Sequence, residues 1–236
     1  MRAPLDLLVF GPHPDDLEIG LGGTIAHHVA LGHSVGLCDL TAGEMGSNGD
    51  AQERLAECQR ARDVLGAAWR ENLRWADRQI GKDPGHLEQA VAFIRRHRPS
   101  VVAAPYWSDR HPDHVAASSV LTEACFNAGL RRYQAGGEAW KVQWICYYFI
   151  NDTAEPSFVV DVSKVYDRKL AALDCHASQF TAPAHDDGVA TRLNTPLFRQ
   201  MIESRDALFG SRVGVARAEG VVVREPIVRS TLLKCP

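Results

Sequence analysis

The chain has six cysteines in 236 residues, and the nearest two, Cys38 and Cys58, are 20 positions apart. That spacing excludes a zinc knuckle and a redox CxxC pair. Cys38, Cys58, Cys125, Cys146, Cys175 and Cys235 sit mostly among apolar neighbours and read as buried thiols, with no nucleophile signature around any of them. No apolar run approaches the ~20 residues of a membrane span. Residues 1–10 are too short, and acidic at Asp6, for a signal peptide and read as a first strand. There is no excess of basic charge: the net charge is −3, which gives a polyanion nothing to bind. No repeat, low-complexity tract or linker interrupts the chain, so residues 1–236 read as a single domain. Together these absences point to a cytoplasmic protein that takes neither nucleic acid nor membrane as a partner. A full dinucleotide fingerprint is missing too. Gly20-Leu21-Gly22-Gly23 is not GxGxxG, and it follows Asp15, Asp16 and Glu18, whose charges oppose a pyrophosphate.

What is present is an ordinary globular composition, 45% hydrophobic and 23% charged, with strand and helix signals in alternation. Leu5 to Phe10, Val35 to Leu40, Asn72 to Ala76 and Val101 to Pro105 read as the first four strands. The continuous apolar runs among them suit strands covered on both faces. Helices are expected over Gly20 to Leu31, from the Asp50 cap to Gly66, from Asp83-Pro84 to Pro99, and from Pro112 to Gly129. Lys141 to Ile150 and Phe158 to Val162 read as further strands. Ser163 is placed as the cap of a helix to Asp174, Ser178 to Thr195 as a long loop, Pro196 to Leu208 as a helix, and Val213 to Pro226 as a terminal strand or hairpin. The sum is a three-layer, Rossmann-like α/β fold with a mostly parallel sheet.

Two clusters carry chemistry. His13-Pro14-Asp15-Asp16 follows the first strand, and His111-Pro112-Asp113-His114 follows the fourth. In Rossmann-type order those strands are neighbours at the switch point, where such sheets bind ligands beyond their carboxyl ends. Both clusters therefore face one crevice. Mixed imidazole and carboxylate donors suit Zn²⁺ or another borderline divalent metal. A catalytic zinc lowers the pKa of its water to about 7, and a neighbouring carboxylate can take the proton. Adjacent aspartates offer both roles, one as ligand and one as base. The second cluster supplies another ligand and an imidazole for an oxyanion or a leaving amine. Spacing alone does not choose between His111 and His114 as the ligand.

The first cluster, with Pro12 before it and Glu18-Ile19-Gly20 after it, resembles the opening motif of the LmbE-like (PIG-L) zinc deacetylases. His111-Pro112-Asp113-His114 resembles their second motif. Gly43-Glu44-Met45-Gly46, Arg54, Tyr106-Trp107-Ser108-Asp109-Arg110 and Ser178-Gln179-Phe180 also fit. The combination looks most like the branch that deacetylates N-acetylglucosaminyl malate in bacillithiol synthesis. The resemblance implies one Zn²⁺ per chain held by His13, Asp16 and His114. It implies Asp15 as general base and His111 as oxyanion stabiliser or acid, oriented and charged by Asp113. It implies a substrate contact at Arg54, a small N-acetylated amino-sugar substrate, and a trimeric or hexameric homo-oligomer. Some relatives have a tyrosine two places before the second motif, where this chain has Asp109, so a tyrosine-assisted oxyanion site is not implied here.

Asp77 and Glu44 are candidate sugar contacts, and Arg110 is a candidate for binding a substrate carboxylate, as are Arg54 and Arg192. His185, Asp186 and Asp187 read as part of a solvated loop. Other aglycones, an inositol or a chitooligosaccharide, stand as alternatives to malate. A metal-dependent phosphoesterase, expected to want two metals and more carboxylates, and a sugar- or nucleotide-binding module without turnover are the competing function classes.

Overall fold

The computed structural model describes residues 4–181, 189–228 and 231. In chain order the elements are β1 (Leu7–Gly11), α1 (Asp16–Ala30), β2 (Val35–Thr41), α2 (Ala51–Leu65), β3 (Trp69–Trp75), α3 (Gly85–His97), β4 (Val101–Pro105), α4 (Pro112–Ala128), β5 (Trp144–Tyr148) and β6 (Phe158–Asp161), followed by α5 (Tyr166–Asp174), α6 (Ala177–Phe180), α7 (Pro196–Val213) and β7 (Ala218–Val222). The strands form one sheet in the order β3-β2-β1-β4-β5-β7-β6. β1 to β5 run parallel, and β7 is antiparallel to both of its neighbours.

Alternation along the strands makes two cores. Leu8, Phe10, Val102 and Ala104 point to one face and pack with Val91 and Ile94 of α3 and Leu121 of α4. Leu7, Val9, Val35 and Leu37 point to the other and pack with Ile25 of α1, Leu65 of α2 and Leu173 of α5. This is the expected three-layer α/β arrangement. β1 lies between β2 and β4, in register Val9↔Leu37 and Val9↔Ala103, so the switch point falls between β1 and β4.

Several boundaries differ from the sequence reading. β3 starts at Trp69, because Trp69 pairs with Gly36 and its ring occupies the space a side chain there would fill. Arg70 hides this start: it reads as polar but is buried, donating from Nε and Nη2 to Asp39, each at 2.7 Å, and from Nη1 to Glu18. Asp50 does cap α2, accepting from the Glu53 amide at 2.8 Å. α3 begins one residue later than expected, with the Asp83 carboxylate accepting from Gly85 N. Ser163 caps no helix; it lies in a 3₁₀ turn, where its hydroxyl donates to Asp161. α6 occupies the start of the expected 178–195 loop and is tied to α2 by Ser178 donating to Glu57. His185, Asp186 and Asp187 lie outside the described residues.

α1 starts at Asp16, not Gly20, and is broken at Leu21, whose φ is −133°. The break opens backbone groups that two buried side chains satisfy. Glu219 of β7 accepts from Gly23 N and Thr24 N, at 2.9 and 2.6 Å, and Arg205 of α7 donates to Ile19 O. Lys169 joins Glu219 to Asp206, 2.6 Å from each. The glycines here serve contact rather than phosphate binding: a Cβ on Gly20 would lie 2.1 Å from the Tyr148 ring, and one on Gly23 2.7 Å from Val162. The break thus sets the direction of the first turn of α1, which carries Asp16.

Removing Lys169 leaves buried Glu219 without its cation and Asp206 with Arg205 alone. Lys169→Ala is expected to lower the unfolding free energy by about 3–5 kcal/mol, read from urea denaturation. A loss below about 1 kcal/mol, the scale of an exposed pair, would show that the network does not hold α1 in place.

Candidate metal centre at the β1 and β4 strand ends

The loop after β1 turns sharply. Asp15 sits at φ 104°, a left-handed conformation that costs a non-glycine residue free energy and needs surrounding structure to hold it. Arg54 of α2 supplies part of that hold. It is 4% exposed, and it donates to Gly43 O at 2.7 Å and to Pro14 O at 2.8 Å, with Nη2 3.4 Å from Asp15 Oδ2. The turn places the Asp16 carboxylate back over His13, whose backbone amide donates to Asp16 Oδ2 at 2.9 Å.

The same Asp16 oxygen lies 3.1 Å from His13 Nδ1 and 3.3 Å from His114 Nε2. Three donor atoms from two strand ends therefore converge. The far nitrogen of each ring faces a carboxylate. His13 Nε2 is 3.3 Å from both Asp77 Oδ1 and Asp113 Oδ2, and His114 Nδ1 is 3.0 Å from Asp109 Oδ1. This is the carboxylate–histidine arrangement that fixes a ring for metal binding through its other nitrogen. His111 differs. Its Nδ1 accepts from the Asp113 amide at 3.2 Å, which makes Nε2 the protonated nitrogen of the neutral ring. His111 thus presents a donor to the crevice, although it lies beside His13 and His114, with ring centroids 4.8 and 4.7 Å away.

The electrostatics agree with a cation site. Burial opposes charge on His13 and His114, yet the facing carboxylates win: His13 is raised well above its usual pKa, and His114 up to about 9. Asp16 is held well below the carboxylate range against its burial, chiefly by His114. Burial pushes Asp15 up to about 6, opposed by Arg54. Burial and His13 lower His111, consistent with a neutral ring. Among the described residues, Arg54 pairs with Asp15 and Arg78 with Asp113, whereas the ion pairs of Asp16 are with the two histidines. Two imidazoles and a buried carboxylate in need of positive charge fit a divalent cation.

The other expected contacts are placed differently. The Asp113 carboxylate faces His13 and accepts from Arg78 N and Nη1, at 2.9 and 3.0 Å; it is the Asp113 backbone, not its carboxylate, that meets the His111 ring. Arg54 holds the loop through Nη1 and Nη2, while its Nε is buried without a hydrogen-bond partner among the described residues. Glu44 accepts from Asp77 N at 2.7 Å and Asp77 accepts from Met45 N at 3.1 Å, so the pair clasps the two loops beside His13. Arg110 is exposed next to His111. Asp109 and Arg78 were not foreseen as parts of the site. Asp109 lies within a motif already recognised, but nothing in its spacing says which ring it meets. Arg78 carries no sequence signal that distinguishes it from a surface arginine.

Residues 8–125 match the family described as PIG-L, GlcNAc-PI de-N-acetylase. The diacetylchitobiose deacetylase of Thermococcus kodakarensis is 34% identical over 189 residues, covering 74% of this chain and 70% of that protein. The chain belongs to the PIG-L (LmbE-like) family. The crystal structure of the conserved protein TT1542 from Thermus thermophilus has a TM-score of 0.88 at 38% identity, covering 98% of this chain and 100% of that one. GalB, the 4-carboxy-2-hydroxymuconate hydratase from Pseudomonas putida, shares the fold at a TM-score of 0.79 and 23% identity, with 98% and 100% coverage.

Because Arg54 is buried against the loop, its loss should affect chemistry more than substrate affinity. Arg54→Ala is expected to lower kcat by at least about tenfold, with KM changed less than about threefold. Steady-state kinetics dominated by KM would return Arg54 to a substrate-binding role.

Proposed function

We propose that the protein is a zinc-dependent amide hydrolase that removes the acetyl group from an N-acetylglucosamine conjugate. The observation that carries this reading is the convergence of His13 Nδ1 and His114 Nε2 on one Asp16 oxygen, with Asp15 beside them. His13, Asp16 and His114 would hold one ion. Such an ion, when bound, polarises the amide carbonyl and makes a water acidic. Asp15 takes the proton from the attacking water. Burial raises the pKa of Asp15, opposed by Arg54, and makes it a stronger base than an exposed carboxylate. His111, with its proton on Nε2, donates to the developing oxyanion and then to the departing amine. Asp77 and Asp113 hold His13, and Asp113 reaches His111 through its backbone amide alone.

For the substrate, we infer N-acetylglucosaminyl malate, with an inositol conjugate or a chitooligosaccharide as the alternative. The name of the matched family and the chitobiose deacetylase of Thermococcus kodakarensis support an N-acetylated sugar. Exposed Arg110, adjacent to His111, is the cation offered to the malate carboxylates. The hydratase GalB shares the whole fold, so the fold by itself does not decide the reaction.

Released amine, measured across a panel of N-acetylglucosaminides with and without a chelator, tests the reaction. Asp15→Ala is expected to retain the metal and lose turnover by about 10² or more; near-normal turnover would remove Asp15 as base. Arg110→Ala is expected to raise KM for the malate conjugate about tenfold, the worth of one charge-assisted hydrogen bond, and to leave a neutral chitooligosaccharide unaffected. An equal change for both substrates would argue against carboxylate recognition at Arg110.

A further inference from the structure

We infer that Asp109 is a positioning residue for the metal centre: it fixes His114 in the tautomer that presents Nε2 to the ion, and it is itself locked by the exit of β5. The inference rests on the metal reading above.

The Asp109 side chain is 3% exposed and sits in the loop after β4. Every neighbour for which it has a contact is a donor. Its Oδ1 accepts from His111 N at 2.8 Å and from Asn151 Nδ2 at 3.0 Å, and lies 3.0 Å from His114 Nδ1. Its Oδ2 accepts from Asn151 N at 2.9 Å and Asp152 N at 3.4 Å. An amide in this place would turn an NH₂ group against donors whichever way it faced, so the surroundings demand a carboxylate. A carboxylate, in turn, demands a proton on His114 Nδ1, and the neutral ring then has its lone pair on Nε2, aimed at Asp16.

The connection continues outward. Asn151 Oδ1 accepts from Arg192 Nη1 at 3.2 Å, and Arg192 is exposed in the segment leading into α7. β4 and β5 are parallel neighbours, and Tyr106 N donates to Tyr148 O at 2.8 Å just past them, so both loop origins are fixed by the sheet. His13 has Asp77 and Asp113 in the corresponding outer position: Asp77 sits on the loop that the Glu44 clasp joins, and Asp113 in the first turn of α4. Asp109 thus connects His114 to the exit of β5.

A purely structural alternative is that Asp109 only ties two loops together. Zinc affinity, measured by competition with chelators of graded strength on the full chain, separates the two. Asp109→Asn is expected to weaken zinc binding ten- to a hundredfold in the wild-type background. In a His114→Ala background it is expected to change the remaining affinity less than about twofold, because the residue through which it acts is gone. Asn151→Ala, which removes one hydrogen bond to Asp109 and keeps the carboxylate, is expected to weaken binding by about threefold and serves if Asp109→Asn does not fold. Unchanged affinity in both variants, or equal losses with and without His114, would overturn the inference. A wild-type protein that takes up no zinc would instead overturn the metal reading and carry this inference with it.

Discussion

One carboxylate oxygen, Asp16 Oδ2, is shared between an imidazole from the β1 end and an imidazole from the β4 end. Much of the surrounding structure follows from keeping that arrangement buried. Ionised groups out of water need partners or they take up protons. Asp15, Asp77, Asp109 and Asp113 crowd the same crevice and find theirs in Arg54, His13, His114 and Arg78. Asp16 is left with the two rings that would otherwise face a metal. The left-handed Asp15, the break in α1 and the Lys169 network are the means by which the backbone brings Asp16 to that point.

The parallel strands and the two histidine–aspartate clusters were legible in the sequence, because apolar runs followed by polar loops leave a one-dimensional trace. Their meeting followed from topology: an alternation of strands and helices puts the first and fourth strands side by side. What was not legible depends on three-dimensional pairing. Arg70 hid the start of β3, because its charge is matched by Asp39 and Glu18 from two other elements. Gly20 and Gly23 lack a dinucleotide fingerprint, but that they admit the Tyr148 ring and Val162 was not legible. Arg54 resembled a substrate contact, and only its carbonyl partners show that it holds the loop under Asp15.

The ring nitrogens carry the same lesson. His111 and His114 stand three positions apart and stack, with planes 23° apart, so position does not rank them as ligands. Their outer neighbours do. A backbone amide on Nδ1 of His111 and a carboxylate on Nδ1 of His114 call for opposite tautomers, and the two rings acquire different chemistry in one motif. The shared fold of a hydratase shows why this level of detail matters, since a Rossmann-like sheet with this topology serves more than one reaction.

The most direct measurement is the anomalous scattering of a zinc-loaded crystal at the zinc edge. One peak per chain, within bonding distance of His13 Nδ1, the Asp16 carboxylate and His114 Nε2, is the expected result. A peak on the other side of His13, between Nε2, Asp77 and Asp113, or no peak in the crevice, would contradict the assignment of Asp16 as the shared ligand.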